Sequence, residues 1–299
     1  MGKADRNRRQ NAREKIAAQQ AAAKRAERRR RVLLAGGSVA VVLALVVVFI
    51  VVKTLQKPAS AGPVGSATTA AAVAKDVATV PATTLDKVGK GTTYSGAIQT
   101  IRTSSTPLTQ GGKPQIVYVG AEYCPYCAAE RWALVTALSR FGTFSGLGLI
   151  HSAGSPEVYP NTPTLTFYKS AYTSKYVGFQ TTEAQTVTHA ALEKLTALDN
   201  QVMAKYDVPP YVPTSQDDGS FPFVDFGNKY VIDGASYNPS VLAGQSWAQV
   251  AAALQDPSSP IAKSADGAAN LITAAICKIT NNKPATACTA TVQGLEGQL

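Results

Sequence analysis

Cys124-Pro125-Tyr126-Cys127 is where residue type and spacing together point to covalent chemistry. Two cysteines three positions apart lie on one turn when they open a helix. The first then meets unpaired amides and the positive end of the helix dipole, which stabilise a thiolate. The second can attack a mixed disulfide formed on the first. Pro125 suits the first helical position, where its missing N–H costs nothing. On this reading Cys124 is the nucleophile, Cys127 is the resolving thiol, and Tyr126 helps set the thiol pKa and the docking surface. An inert local disulfide and a zinc site compete with it. Zinc needs four ligands of suitable spacing, and Cys277, Cys288, His151 and His189 form no second close pair. No metal and no other cofactor is expected, and no Gly-rich phosphate loop, Ser/His/Asp set or HExxH motif is present.

The elements that must hold this motif are legible on both sides of it. Residues 115–120, QIVYVG, are apolar and β-branched, follow Gly111, Gly112 and Pro114, and suit a strand buried on both faces. After Cys127, the spacing of Leu134, Ala137, Leu138 and Phe141 predicts an amphipathic helix with Gly142 as its stop. Further strands are expected at 147–151, 164–169 and 175–179, a helical stretch at 182–205, and a closing helix at 245–254. Residues 221–226 and 229–233 read as a hairpin joined by the two residues Gly227 and Asn228, both of which tolerate positive φ. Strands alternating with helices and then a hairpin make a mixed α/β sheet.

Cys277 and Cys288 bracket a polar, Pro-containing stretch after an Ala-rich helix-like segment at 268–277. A structural disulfide is the first reading, and a second redox pair relaying electrons from Cys124 and Cys127 is its rival. Glu122, two residues before Cys124, is either a buried proton acceptor, a charge that repels the thiolate, or a solvated strand-end carboxylate. Trp132 and Tyr123 are expected to pack or to form a rim, and His151 to end a strand as a satisfied polar residue.

Charge divides the 299-residue chain sharply. Residues 1–31 hold twelve of the 29 Lys and Arg against three acids, Asp5, Glu14 and Glu27, and contain no aromatic residue. The rest is nearly neutral. A basic tail without aromatics, abutting an apolar run, argues against a nucleic-acid partner and for a cytoplasmic flank that orients a membrane span. Residues 32–52 supply that span: 21 residues without a charge, enough to cross a hydrocarbon core of about 30 Å. Four Arg at 28–31 set the N-terminus inside, so the expected location is the cell membrane, single-pass, with everything after residue 52 exported. Retention as an anchor is favoured over cleavage near Ala59–Ala61. Residues 53–91, rich in Ala, Thr and Pro, are expected to be a flexible linker, and 92–299 an extracytoplasmic domain.

The strand–CPYC–helix unit resembles the redox centre of the thioredoxin superfamily, and Pro125-Tyr126 is similar to the dipeptide of glutaredoxins. The runs VGAEYCPYCAAERWALVTALSRFGTF (119–144), FPFVDFGNKYVIDGASYNPSVL (221–242) and AANLITAAIC (268–277) resemble DUF929, a thioredoxin-like domain of unknown function, over about residues 90–290. The implied fold is thioredoxin-like α/β with a helical and strand-bearing insertion, similar to disulfide oxidoreductases of the DsbA type, preceded by one transmembrane helix. The superfamily resemblance also implies a cis-proline opposite the CxxC at the start of a strand, where the preceding backbone holds an extended substrate peptide. Pro222, with Phe221 before it, fits the strand–turn–strand that precedes the last helix; Pro163 in Thr162-Pro163-Thr164 is the other candidate. The function implied is a thiol–disulfide oxidoreductase acting on exported proteins, with a separate redox-recycling partner. The alternatives are a non-catalytic binding module of the same fold or a redox sensor of the cell envelope.

Overall fold

A computed structural model of the chain describes residues 66–103 and 105–299. The basic tail, the apolar run at 32–52 and the first part of the expected linker lie outside the described residues. Among the described residues no helix is long and apolar enough to cross a membrane.

The second part of the expected linker is folded. Helix α1 (Ala67–Ala78) is capped by the Ser66 hydroxyl, and α2 (Ala82–Val88) starts directly after Pro81. Ala70, Val73 and Val77 make a helical stripe buried in the main core, and Leu85 of α2 is also buried. The Ala and Val content read as a tether is therefore a packing face, and Pro81 marks a junction between two helices.

The strands are β1 (Gln99–Thr100), β2 (Thr109–Gln110), β3 (Lys113–Gly120), β4 (Gly142–Ser145), β5 (Gly148–His151), β6 (Pro163–Thr166), β7 (Ala171–Ser174), β8 (Gly178–Glu183), β9 (Phe223–Phe226) and β10 (Tyr230–Asp233). Helix α3 (Pro125–Leu138) follows β3, and α4 (Ala197–Tyr206) follows β8. After β10 come α5 (Trp247–Ala253), α6 (Pro260–Ile279) and α7 (Ala290–Leu295).

The main sheet is mixed. β3 lies at its centre, parallel to β8 on one side and antiparallel to β9 on the other; β10 and then β1 extend it past β9, and β2 pairs with the start of β3. The last six residues of β3 are buried, as the QIVYVG run requires of a strand covered on both faces. Ile116 and Tyr118 point into a core shared with α3 and α6, whereas Val117 and Val119 point into a second cluster with Val202 and Tyr206 of α4. That alternation is the period-two signature of a pleated strand. The result is three layers, with α3 and α6 on one face and α4 on the other.

Several boundaries differ from expectation. The stretch 182–205 is helical only from Ala197, because Thr182 and Glu183 continue β8 beside Val119 and Gly120. Thr196 and Asp199 then form a capping box that starts α4. The extra strands fall between α3 and β8, where β4 pairs with β7 and β5 with β6 as two ribbons outside the main sheet. Gly142 opens β4 rather than ending α3, and Phe141 is buried beyond the helix. The 221–233 hairpin closes with Phe226 opposite Tyr230, a three-residue loop in which Gly227 and Asn228 take positive φ. The helix packed on α3 is α6, which begins well before residue 268 because Ser259 caps it and Pro260 occupies its first turn.

Candidate active site

β3 delivers the chain to Gly120, and Cys124 becomes the N-cap of α3 with extended backbone, φ −74° and ψ 121°. Pro125 occupies the first turn, as its fixed φ favours. The Cys124 sulfur accepts the Cys127 N–H at 3.2 Å and lies 3.5 Å from the Phe221 carbonyl oxygen, to which its thiol can donate. Both thiols are free; Cys124 retains 5% exposure and Cys127 none.

These surroundings separate the two sulfurs. The Cys127 thiol hydrogen bond draws the Cys124 pKa down against the opposing effect of burial, helped by the Cys127 amide, the Arg131 charge and the Tyr126 amide. Burial, and then the proximity of Cys124, push Cys127 well above its ordinary range. Cys124 is thus the sulfur that ionises first.

The Phe221–Pro222 peptide is cis, and Phe221 packs against Cys124 and Cys127. Pro222 stands one residue before β9, and its carbonyl accepts the Gly234 N–H at 2.8 Å across the hairpin. Pro163 has a different task. It opens β6, is absent from the cis bonds of the described residues, and its carbonyl accepts the Trp132 indole N–H at 2.9 Å. Tyr126 is the exposed residue of α3, with its ring edge-on to Tyr159 at 5.8 Å.

The family described as Domain of unknown function (DUF929) matches residues 99–278, which run from β1 to the penultimate residue of α6 and include every residue of this site. The chain belongs to that family. No curated protein and no solved structure matches it.

Within the DUF929 region, α3 is not amphipathic as expected: apart from Tyr126, all its residues are buried, including Glu130 and Arg131. α6, β6 and α1 pack around it, and Ile116 and Tyr118 of β3 share its core. Arg131 makes a two-pronged ion pair with Glu183 at 2.8 and 2.6 Å, and its Nη2 also donates to the Ala121 carbonyl at 2.8 Å. Glu130 accepts the Ser236 N–H at 2.8 Å and its hydroxyl at 3.0 Å, and burial pushes its carboxyl up to about 7. Neither residue was singled out from the sequence. The available signal was an adjacent acid and base at the middle of an otherwise apolar helix, where a charge must find a partner.

Glu122 is buried, accepts the Thr166 hydroxyl at 2.8 Å, and is pushed up by desolvation, so the solvated reading does not hold. Trp132 is wholly buried as a packing residue, while Tyr123 is half-buried with its ring 4.0 Å from that of His189. His151 ends β5 with its ring 4.3 Å from Trp247, and burial lowers its pKa. Cys277 and Cys288 are joined, with Cα atoms 5.8 Å apart, and lie in the main core away from the small cluster around Cys124. The DUF929 match includes Cys277 and stops short of Cys288. Among the described residues no group of three or more His, Cys, Asp or Glu is placed to hold a metal ion.

Proposed function

We propose that this chain is a thiol–disulfide oxidoreductase with a thioredoxin-like domain, acting on exported proteins through Cys124 and Cys127. The observation that carries the reading is the setting of the Cys124 sulfur. It caps a helix, takes the Cys127 N–H at 3.2 Å, and stands 3.5 Å from a backbone carbonyl of the segment before β9. Cys124 attacks one sulfur of a substrate disulfide, that S–S bond breaks, and a mixed disulfide forms as the other substrate sulfur leaves. Cys127 then attacks Cys124, releasing the second substrate thiol and leaving the Cys124–Cys127 disulfide. The reverse sequence oxidises a substrate dithiol. Phe221 and Pro222 are the proposed backbone platform for the substrate, and exposed Tyr126 its flanking surface, with buried Pro125 shaping the turn beneath it.

A thioredoxin-like arrangement is supported by the strand–turn–strand of β9 and β10 between the cysteine helix and α6, with Pro222 at its head. An exported, anchored location is supported by the uncharged run at 32–52 behind a cluster of arginines. A recycling partner is part of the proposal, because each turnover leaves the dithiol in the state opposite to the one that began it.

Cys127→Ser in the full chain, expressed in its own host, tests this directly. The expected result is a ladder of mixed disulfides on non-reducing gels that collapses with dithiothreitol and disappears when Cys124→Ser is added. An ordinary Cys124 pKa together with no trapped envelope protein would return the domain to a binding module.

A further inference from the structure

Beneath the cysteines lies a charged arrangement that neither stability nor packing accounts for. Arg131 stands four residues after Cys127 on α3, one turn along the same face. Glu183 is the last residue of β8 and pairs in register with Gly120, the last residue of β3. The ion pair therefore bridges helix and sheet where the strand ends and the cysteine turn begins. Both side chains are fully buried. A buried ion pair is commonly no more stabilising than apolar side chains of the same volume, so its presence calls for another reason.

The details supply one. Arg131 spends Nε and Nη2 on Glu183, and Nη2 also fixes the Ala121 carbonyl, which accepts the Cys124 N–H at 3.3 Å as well. The N–H of the same residue favours a thiolate at Cys127. Arg131 thus grips the residue whose carbonyl and amide serve the two cysteines in turn. Nη1, on the far edge of the guanidinium from the carboxylate fork, has no acceptor among the described residues, and neither does the buried hydroxyl of Tyr118. Tyr118 is within electrostatic reach of Arg131, Glu183, Cys127 and Cys124. A buried donor without an acceptor costs about 1–3 kcal/mol, and the Tyr118 hydroxyl lies against Gly120, at the strand end from which the cysteine turn departs.

We propose that Arg131 is the positioning residue of the dithiol: clamped by Glu183, it fixes the Ala121 peptide and, with the Tyr118 hydroxyl, supplies donors to the Cys127 thiolate. This rests on the oxidoreductase reading and assigns the difficult half of that reaction. Cys127 gives up its proton, its sulfur attacks the Cys124 sulfur, and the Cys124–Cys127 bond forms as the Cys124–substrate bond breaks. The substrate sulfur leaves as a thiolate and takes up a proton. The thiolate at Cys127 is the costly intermediate, because burial opposes it.

The test uses the reduced full chain and 5,5′-dithiobis(2-nitrobenzoate). The first nitrothiobenzoate released reports attack by Cys124; the second reports attack by Cys127 on the mixed disulfide. Wild type is expected to release both, the second rapidly. Tyr118→Phe should slow the second release several-fold at neutral pH, and Arg131→Met by about tenfold, one pKa unit of thiolate population. Both should shift the pH profile of that step upward. Arg131→Lys should recover part of the loss, since it restores the charge without the fork. If wild type releases only the first, the dithiol reading fails and this inference with it. If wild type releases both and the two variants keep its rates and pH profile, the positioning role is overturned while the oxidoreductase reading stands. Lower melting temperatures with an unchanged profile count as that same negative result. Should Arg131→Met not fold, Arg131→Lys, which keeps the charge but loses the fork that holds Ala121, decides: a second release as fast as wild type with an unchanged pH profile overturns the role.

Discussion

Replacing Glu130 with Gln should make the protein more stable at pH 8 and leave it nearly unchanged at pH 4. Glu130 is wholly buried on the cysteine helix, and its carboxyl accepts both the N–H and the hydroxyl of Ser236. Burial outweighs these bonds and pushes its pKa from 4.5 to about 7. An acid whose folded pKa is raised favours the folded state while protonated. Below the unfolded value both states hold the proton and nothing is gained or lost; between 4.5 and about 7 only the folded state holds it, and stability falls as pH rises. At 1.36 kcal/mol per pKa unit the full loss is on the order of 3 kcal/mol, complete above pH 7. Gln does not titrate, and its amide can keep both contacts by accepting the Ser236 N–H and donating to the Ser236 oxygen. Urea denaturation followed by tryptophan fluorescence, at several pH values between 4 and 8, measures the difference directly. The gap between Glu130→Gln and wild type should open from near zero to about 3 kcal/mol across that window. A gap of constant size would refute the reasoning, because it would mean that Glu130 does not change its ionisation on folding.

Three further outcomes are expected. Converting Cys277 and Cys288 together to Ala should lower stability by about 3 kcal/mol, the loop-closure figure for a short loop, yet leave the iodoacetamide reactivity of Cys124 within a factor of about two; a large change in that reactivity would favour the electron-relay reading. Gly120→Ala should destabilise by about 1–3 kcal/mol in urea titrations, since its Cβ would clash with the Tyr118 hydroxyl; wild-type stability would mean that this ring moves aside freely. Asn270 is buried on α6 and donates to the Leu85 and Gly89 carbonyls at 2.7 and 2.8 Å, so Asn270→Ala should release α2 and speed proteolysis near residues 80–90, with unchanged cleavage arguing against the clamp.

Much of the site could be read from short-range signals. QIVYVG could be placed as a doubly covered strand from its composition, and Pro125 fixed the start of α3. Pro222 was distinguished from Pro163 by its place before a hairpin, a feature of order along the chain. What the sequence hid depends on contacts between distant segments. Glu183 lies 52 residues from Arg131, so nothing local marks them as partners. The end of β8 was placed too early because Thr181-Thr182-Glu183 has no clear alternation; its strand form comes from pairing with β3. Residues 67–88 looked like a tether because alanine carries little hydrophobic weight, and only the packing of α1 and α2 reveals the stripe.

The unequal burial of the two sulfurs has a consequence for how any partner must engage them. Cys124 keeps a small opening and packs against Phe221, whereas Cys127, in the first turn of α3, has no exposed surface. On the proposed oxidoreductase reading, a substrate sulfur approaching from solvent therefore forms its first bond with Cys124. Cys127 can react only with a sulfur already delivered to Cys124, because in-line attack needs all three sulfurs in a row. Burial that raises the Cys127 pKa thus also protects it from side reactions, and on the same reading it opposes the ionisation that the second attack requires. Limiting iodoacetamide on the reduced chain should accordingly label Cys124 alone, read by peptide mass spectrometry. Equal labelling of both cysteines would contradict the assigned order of attack.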